Sequence, residues 1–383
     1  MKLTIVYEKL KEGVKIAERL AQKSLTLPIL QNILLKTDKS FICLESTNLE
    51  VGIKYWSLIK KEKDGELLVS ARVISQLIDF LPPKPIDLKK EGNDLSVSCE
   101  NYKSLIRGFN PEEFPIIPEI EKTDSVTIPS PVFCQALNQV VDIASPSVAR
   151  PEISGIYFAF QKKIIKIVAT DSFRLAEQKI ILDNSLLQEY SLILPQQTAK
   201  EIINIFGQKE GDLKIYFSPN QILFETLMAE TNHPQIHLIS RLVEGNYPDY
   251  ETIIPDKTAT QIQISKNEFL NQIKLAGLFA GKTNEVSFKV NPQKDKLDIF
   301  SQDPDSGDYK SSLNAKIKGK EIDISFNYRF LVDGILKIKS PDVLFELTER
   351  DDRTGEGGKA ILKPSQEENF LYIAMPMAPF KKS

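Results

Sequence analysis

The sequence predicts an α+β protein of three similar domains, each with two helices packed on antiparallel sheet. Three observations predict it. A strand followed by an amphipathic helix recurs three times at matching places. The segments between the helices are short, apolar or alternating, and rich in β-branched and aromatic residues. Residues 105–118 (LIRGFNPEEFPIIP) align without a gap on 242–255 (LVEGNYPDYETIIP).

The first helix of each copy has one apolar stripe. Residues 8–23 place Leu10, Val14, Ala17 and Ala21 on it; residues 131–145 place Phe133, Leu137, Val140 and Ala144. Residues 266–281 do the same with Phe269, Ile273, Ala276 and Ala280. The i, i+4, i+7, i+11 spacing is one face of an α-helix. Each follows an alternating strand: KLTIVY, SVTIP and QIQIS.

A second helix follows each first one, on the scale of one supersecondary unit. The expected apolar triplets are Val73/Leu77/Phe80, Ala199/Ile203/Phe206 and Leu331/Ile335/Ile338. Pro82 and Gly207 stop the first two. STNLEV at 46–51 matches ATDSFR at 169–174, and SQDPDS at 301–306 takes the same slot. The domains are expected at 1–125, 126–257 and 258–383. Strand edges are a hazard, so repeated domains should continue a sheet across their boundaries. Such a chain must curve or close with another copy.

Composition narrows the function. The chain has 383 residues, 42% apolar and 26% charged, with a formal net charge of −3. Disorder as the main state is excluded, and so is a strongly basic nucleic-acid binder held by charge alone. Cys43, Cys99 and Cys134 are far apart, which argues against a disulfide scaffold or a zinc site and for free thiols in a reducing cytoplasm. The N-terminal MKLTIVYEKLKEG does not read as a signal peptide, and no apolar run has the length of a membrane span.

Catalytic patterns are missing. His233 and His237 are interrupted by Pro234, and on a strand they stand about 13 Å apart, too far for one metal. TGEGGKA (354–360) lacks the upstream glycine and the Ser/Thr of a P-loop and reads as a surface turn. Asp171, Asp303 and Asp305 could hold magnesium for a nuclease. Asn48 fills the same slot in the first copy, which favours turn capping. No metal and no cofactor are expected. The chain leans toward a scaffold or binding protein.

TLPILQNILL (26–35), VATDSFRLAE (168–177), RLVEGNYPDY (241–250) and YIAMPM (372–377) resemble bacterial DNA polymerase III beta subunits, the DNA sliding clamps. The resemblance spans the chain in order. It implies the DNA clamp fold and a head-to-tail homodimer closed into a six-domain ring, helices inward and sheets outward. It implies a processivity factor without catalysis, which encircles duplex DNA and tethers the replicative polymerase catalytic subunit. A clamp loader, and other replication and repair proteins carrying clamp-motif peptides, are further implied partners.

The resemblance places a partner-peptide pocket at Ile153, Thr170, Ser172, Phe173, Arg174, Leu175, Pro248, Ile253, Ile373, Met375, Pro376 and Met377. Methionine suits an adaptable apolar groove. Phe173 stands where the family usually has histidine or another polar residue, which predicts a drier pocket. The tail continues past MPM as APFKKS, which leaves two readings: a loose tail, or Phe380 leaning over such a pocket. Phe114, Leu278 and Phe279 match the family's dimer contact. Lys23, Arg72 and Arg150 are the expected DNA contacts, on inward faces that mix Lys15 and Arg19 with Glu8 and Glu12. That mixture predicts a weak hold on DNA. The alternative is a repeat-built adaptor that recruits peptides and never encircles DNA.

Overall fold

The computed structural model describes residues 1–21, 27–122, 125–147, 149–183, 185–186, 188–349, 358–366 and 369–377. Its helices, in chain order, are α1 (Tyr7–Glu18), α2 (Ala71–Phe80), α3 (Ser130–Val140), α4 (Pro151–Ser154), α5 (Gln196–Phe206), α6 (Lys266–Gly277) and α7 (Tyr328–Lys337). The chain divides into two compact units. Unit 1 is Met1–Cys134 with Gln197–Leu242, and unit 2 is Gln135–Gln196 with Val243–Ser383. No helix among the described residues is long and apolar enough to cross a membrane.

Unit 1 holds a five-stranded and a nine-stranded sheet. In the larger one, Val51–Leu58 pairs antiparallel with Pro234–Arg241, setting Gly52 opposite Ile239. Unit 2 holds a nine-stranded and a four-stranded sheet. There Arg174–Ile181 pairs antiparallel with Phe370–Ala374, setting Leu175 opposite Ile373. Each large sheet thus joins strands from successive sequence copies, as the edge argument requires. The outer strands still carry one unpaired side: Tyr102–Ile106 in the five-stranded sheet and Gly307–Asn314 in the four-stranded one.

The repeat is exact enough to reproduce a turn bond for bond. Thr47 Oγ1 donates to the Val51 carbonyl (2.9 Å) and accepts from Leu49 N–H (3.0 Å). Asn48 Oδ1 accepts from Glu50 and Val51 N–H (3.1 and 2.7 Å). Thr170 and Asp171 make the same bonds to Arg174, Ser172 and Phe173, at 2.7 to 3.1 Å. Leu49 and Ser172 take the same left-handed conformation, φ 76° and 77°. Asp303 also caps its turn, accepting from Ser306 N–H at 3.2 Å. These side chains are turn caps.

The helices bury most of the expected stripes, but Ala21 and Ile203 are only half-buried, α5 burying Ile202 and Ile205, and α2 needs a correction of register. Leu10, Val14, Ala17, Phe269, Ile273 and Ala276 are buried. In α2 the buried apolar residues are Ala71, Ile74 and Ile78, followed by Leu81; the last three register with Ala199/Ile203/Phe206 and Leu331/Ile335/Ile338. Val73 and Phe80 of the expected triplet lie outside, Phe80 86% exposed. One residue of register rotates the face by about 100°. Glycine sets the closest helix–sheet approaches. A Cβ at Gly13 would stand 2.4 Å from the Tyr55 ring, and one at Gly334 2.5 Å from the Tyr372 ring. Cys43, Cys99 and Cys134 are free, buried, and all in unit 1.

Candidate functional site

The site of unit 2 is built on the turn between strands Ile164–Thr170 and Arg174–Ile181 and on the strand end after Ala374. Met375 N–H donates to the Phe173 carbonyl at 2.8 Å, which fixes the Met-Pro-Met segment against the turn. Beneath lies a cluster of Val168, Leu175, Tyr250, Ile361 and Ile373. Tyr250 is pinned by donating to Glu177 Oε2 at 2.6 Å, and Tyr157 stacks on Tyr247 at 4.8 Å.

Twelve residues were expected here, and they fall into two layers. Ile153, Thr170, Leu175 and Ile373 are buried and serve as scaffold. Ser172 and Phe173 are exposed; Arg174, Pro248, Ile253, Met375, Pro376 and Met377 are half-buried. Phe173 is the most open large apolar group among them, at 62%. Its ring lies parallel to Phe330, centroids 6.4 Å apart. Ile253 sits on a short 3-10 turn (Glu251–Ile253), whose carbonyl accepts from Lys359 Nζ at 3.3 Å.

Arg174 is committed inside the protein. Its Nε donates to Asp171 Oδ2 at 2.9 Å, its Nη1 bonds Asp333, and its guanidinium lies 4.9 Å over the Phe330 ring. Phe330 and Asp333 on α7 are the residues sequence reasoning missed. They lie more than 150 positions from Arg174, and no local pattern marks them. The surface therefore offers sulfur, proline and aromatic edges, with the Arg174 cation already neutralised. That chemistry suits an apolar peptide side chain.

Arg150, expected on DNA, stands at the rim of this site. Its Nη1 donates to Ser172 Oγ and its Nε to Glu152 Oε1, both at 3.2 Å. Arg72 is exposed on α2. Lys23, Phe380 and most of TGEGGKA lie outside the described residues. Lys15 on α1 and Arg19 at its C-terminal end are each tied to a carboxylate, Asp79 and Glu201. Of the expected dimer contacts, Leu278 is 69% exposed and Phe279 is half-buried against Tyr309 at 5.9 Å. Phe114 is 7% exposed and packs inside unit 1. Tyr102 and Leu105 are open apolar side chains on the edge strand of the five-stranded sheet.

No cluster of three or more metal-ligating side chains exists among the described residues. His237 bonds Glu225 Oε2 at 2.7 Å, and His233 stacks on Phe41 at 3.9 Å. Both histidines are spent on packing and hydrogen bonding.

Three family models match the chain. They describe the N-terminal domain (residues 1–118), the central domain (127–249) and the C-terminal domain (251–378) of the DNA polymerase III beta subunit. Among curated relatives, the chain is 24% identical to the beta sliding clamp of Bacillus subtilis, over 99% of this chain and all of that one. It is 27% identical to that of Staphylococcus aureus, over 93% of each. Solved clamp structures share its fold. The one from Bacillus subtilis has a TM-score of 0.90 at 23% identity, and one from Pseudomonas aeruginosa 0.91 at 20%, each covering 99% of this chain and all of the other.

Proposed function

We propose, from the premise that this chain belongs to the DNA polymerase III beta-subunit family and is a DNA polymerase processivity factor, that the unit 2 site seats partner peptides. The observation that carries this is the two-layer build around Met375. A buried scaffold of Leu175 and Ile373 holds Phe173, Met375 and Met377 at the surface. Ordinary core residues would all be covered. The polymerase catalytic subunit, a clamp loader, and replication and repair proteins with short apolar motifs are the proposed occupants.

The same reading makes the chain a head-to-tail homodimer, a six-domain ring around duplex DNA, with domains 1–125, 126–257 and 258–383. Two unpaired sheet edges support it, Tyr102–Ile106 and Gly307–Asn314. Pairing one with the other chain's counterpart would remove both from solvent. Leu105 and Leu278 are the exposed apolar groups offered for that contact. The ring needs no chemistry, and we assign it none. Three buried free thiols support a cytoplasmic setting.

The test is retention on nicked circular DNA after treatment with loader and ATP. The ring reading expects release when the circle is linearised and a solution mass twice that of the chain. Retention that survives linearisation would favour an adaptor bound to the surface of DNA or to other proteins.

A further inference from the structure

Unit 1 contains a second copy of the peptide site's framework, with different side chains. The turn at Thr47–Val51 repeats the turn at Thr170–Arg174 bond for bond. Arg241 N–H donates to the Glu50 carbonyl at 2.9 Å, as Met375 N–H donates to that of Phe173 at 2.8 Å. Gly52 lies opposite Ile239, as Leu175 lies opposite Ile373. The gapless alignment of 105–118 on 242–255 sets Ile116 against Ile253 and Ile117 against Ile254.

At this position unit 1 has a groove of about 260 Å³, whose lining includes Leu49, Glu50, Ile116, Ile239 and Arg241. Gly52 makes room for its floor: a Cβ there would lie 2.6 Å from Ile117 Cγ2. Ile117 is thereby seated at 3% exposure, while the adjacent Ile116 stands 94% exposed between Pro115 and Pro118. The prolines limit the backbone freedom of this strap. An isoleucine held out on a stiff strap beside a groove is an anchor without a partner. Arg241 stands exposed at the rim, and its guanidinium is paired with no carboxylate among the described residues.

We propose that this groove is a second peptide site, and that it takes an extended segment carrying an apolar residue next to an acidic one. The volume admits side chains rather than a whole cofactor. The apolar anchor covers Leu49 and Ile116, and the carboxylate meets Arg241 in place of the thioether of Met375. Glu50 lines the same opening and opposes a carboxylate that strays toward it. The choice of a peptide, rather than another ligand, rests on the reading of the unit 2 site.

The experiment uses the full chain with 13C-labelled isoleucine methyl groups and a blocked peptide of alternating leucine and aspartate. The Ile116, Ile117 and Ile239 methyl resonances should shift and saturate. Arg241→Glu should weaken binding by about tenfold or more, the scale of a lost charge-assisted hydrogen bond, and should favour a leucine–lysine peptide instead. Glu50→Gln should tighten the acidic peptide. Stationary resonances at millimolar peptide would overturn the proposal, as would an affinity indifferent to Arg241→Glu. Shifts that follow protein concentration rather than peptide would assign the groove to a second copy and also overturn it. Ile253 and Ile373 report the unit 2 site separately, so failure there leaves this result readable.

Discussion

Lys15 of α1 reaches Asp79 of α2 at 2.7 Å, and Lys11 joins the same carboxylate at 3.3 Å. Arg19 meets Glu201 of α5 at 2.5 Å, and Lys209 pairs with Glu12. These four cations are thus closed on carboxylates of the same unit. The exposed pairs on Asp79 add little stability. Their effect is to lower the positive potential a DNA backbone would meet.

Releasing those cations should strengthen the hold on DNA. Asp79→Asn combined with Glu201→Gln should raise the affinity for a short linear duplex at low salt. The slope of log affinity against log salt should steepen by up to ~0.9 for each cation newly engaged. Fluorescence anisotropy across a salt series measures it. An unchanged slope would mean that this face does not meet DNA.

The partner site makes a separate prediction. Met375→Ala and Met377→Ala should each weaken partner-peptide binding by roughly five- to thirtyfold, the equivalent of about 1–2 kcal/mol. Unfolding curves should stay close to those of the unaltered chain, because both side chains are half-buried. Phe173→His should reduce the preference for apolar peptides. Unchanged peptide titrations would reject the assignment.

Helix propensity and packing pull in opposite directions at Gly334. Alanine favours a helix over glycine by about 1 kcal/mol. Here the added Cβ would lie 2.5 Å from the Tyr372 ring and 2.9 Å from Leu362 Cδ1. That ring is buried, and its hydroxyl is fixed by donating to the Phe330 carbonyl at 2.7 Å. Overpacking of this kind costs about 1–3 kcal/mol. Gly334→Ala should therefore lower the urea midpoint, and a raised midpoint would contradict the packing described.

Glu225 predicts an acid-labile region in unit 1. Burial alone would raise its pKa, but the hydrogen bonds and charges of His237 and Lys122 overcome burial and lower it to about 2. A depressed carboxylate stabilises the fold above its unfolded value, near 4.5, and that contribution fades as pH falls toward 2. The loss should amount to about 3 kcal/mol. His237 acts in the same direction: burial lowers its pKa, so protonation below its usual range disfavours the fold. Trp56, the sole tryptophan, lies 4.7 Å from the His237 ring and reports the change by fluorescence. Glu225→Gln should flatten the acid limb; a limb unchanged by it would assign acid lability elsewhere.

Periodicity revealed the threefold plan because each repeat obeys the same local rules of helix face, breaker and turn. It failed inside α2, where two neighbouring stripes are both apolar. Val73/Leu77/Phe80 and Ile74/Ile78/Leu81 satisfy the same spacing, and only the sheet beneath decides between them. The Asx turns were readable because the cap and its acceptors lie within four residues. Arg174 with Asp333 was not, because that bond depends on tertiary packing alone. The Arg150 bond to Ser172, 22 residues along the chain, likewise has no local pattern.

The buried cysteines turn the chain into its own clock. Alkylating reagents attack the thiolate, and burial raises all three thiols, Cys134 to about 12. Labelling must then wait for a local opening, and its rate counts how often that opening occurs. Every cysteine lies in unit 1. Thiol chemistry therefore times the breathing of one unit while the other stays silent.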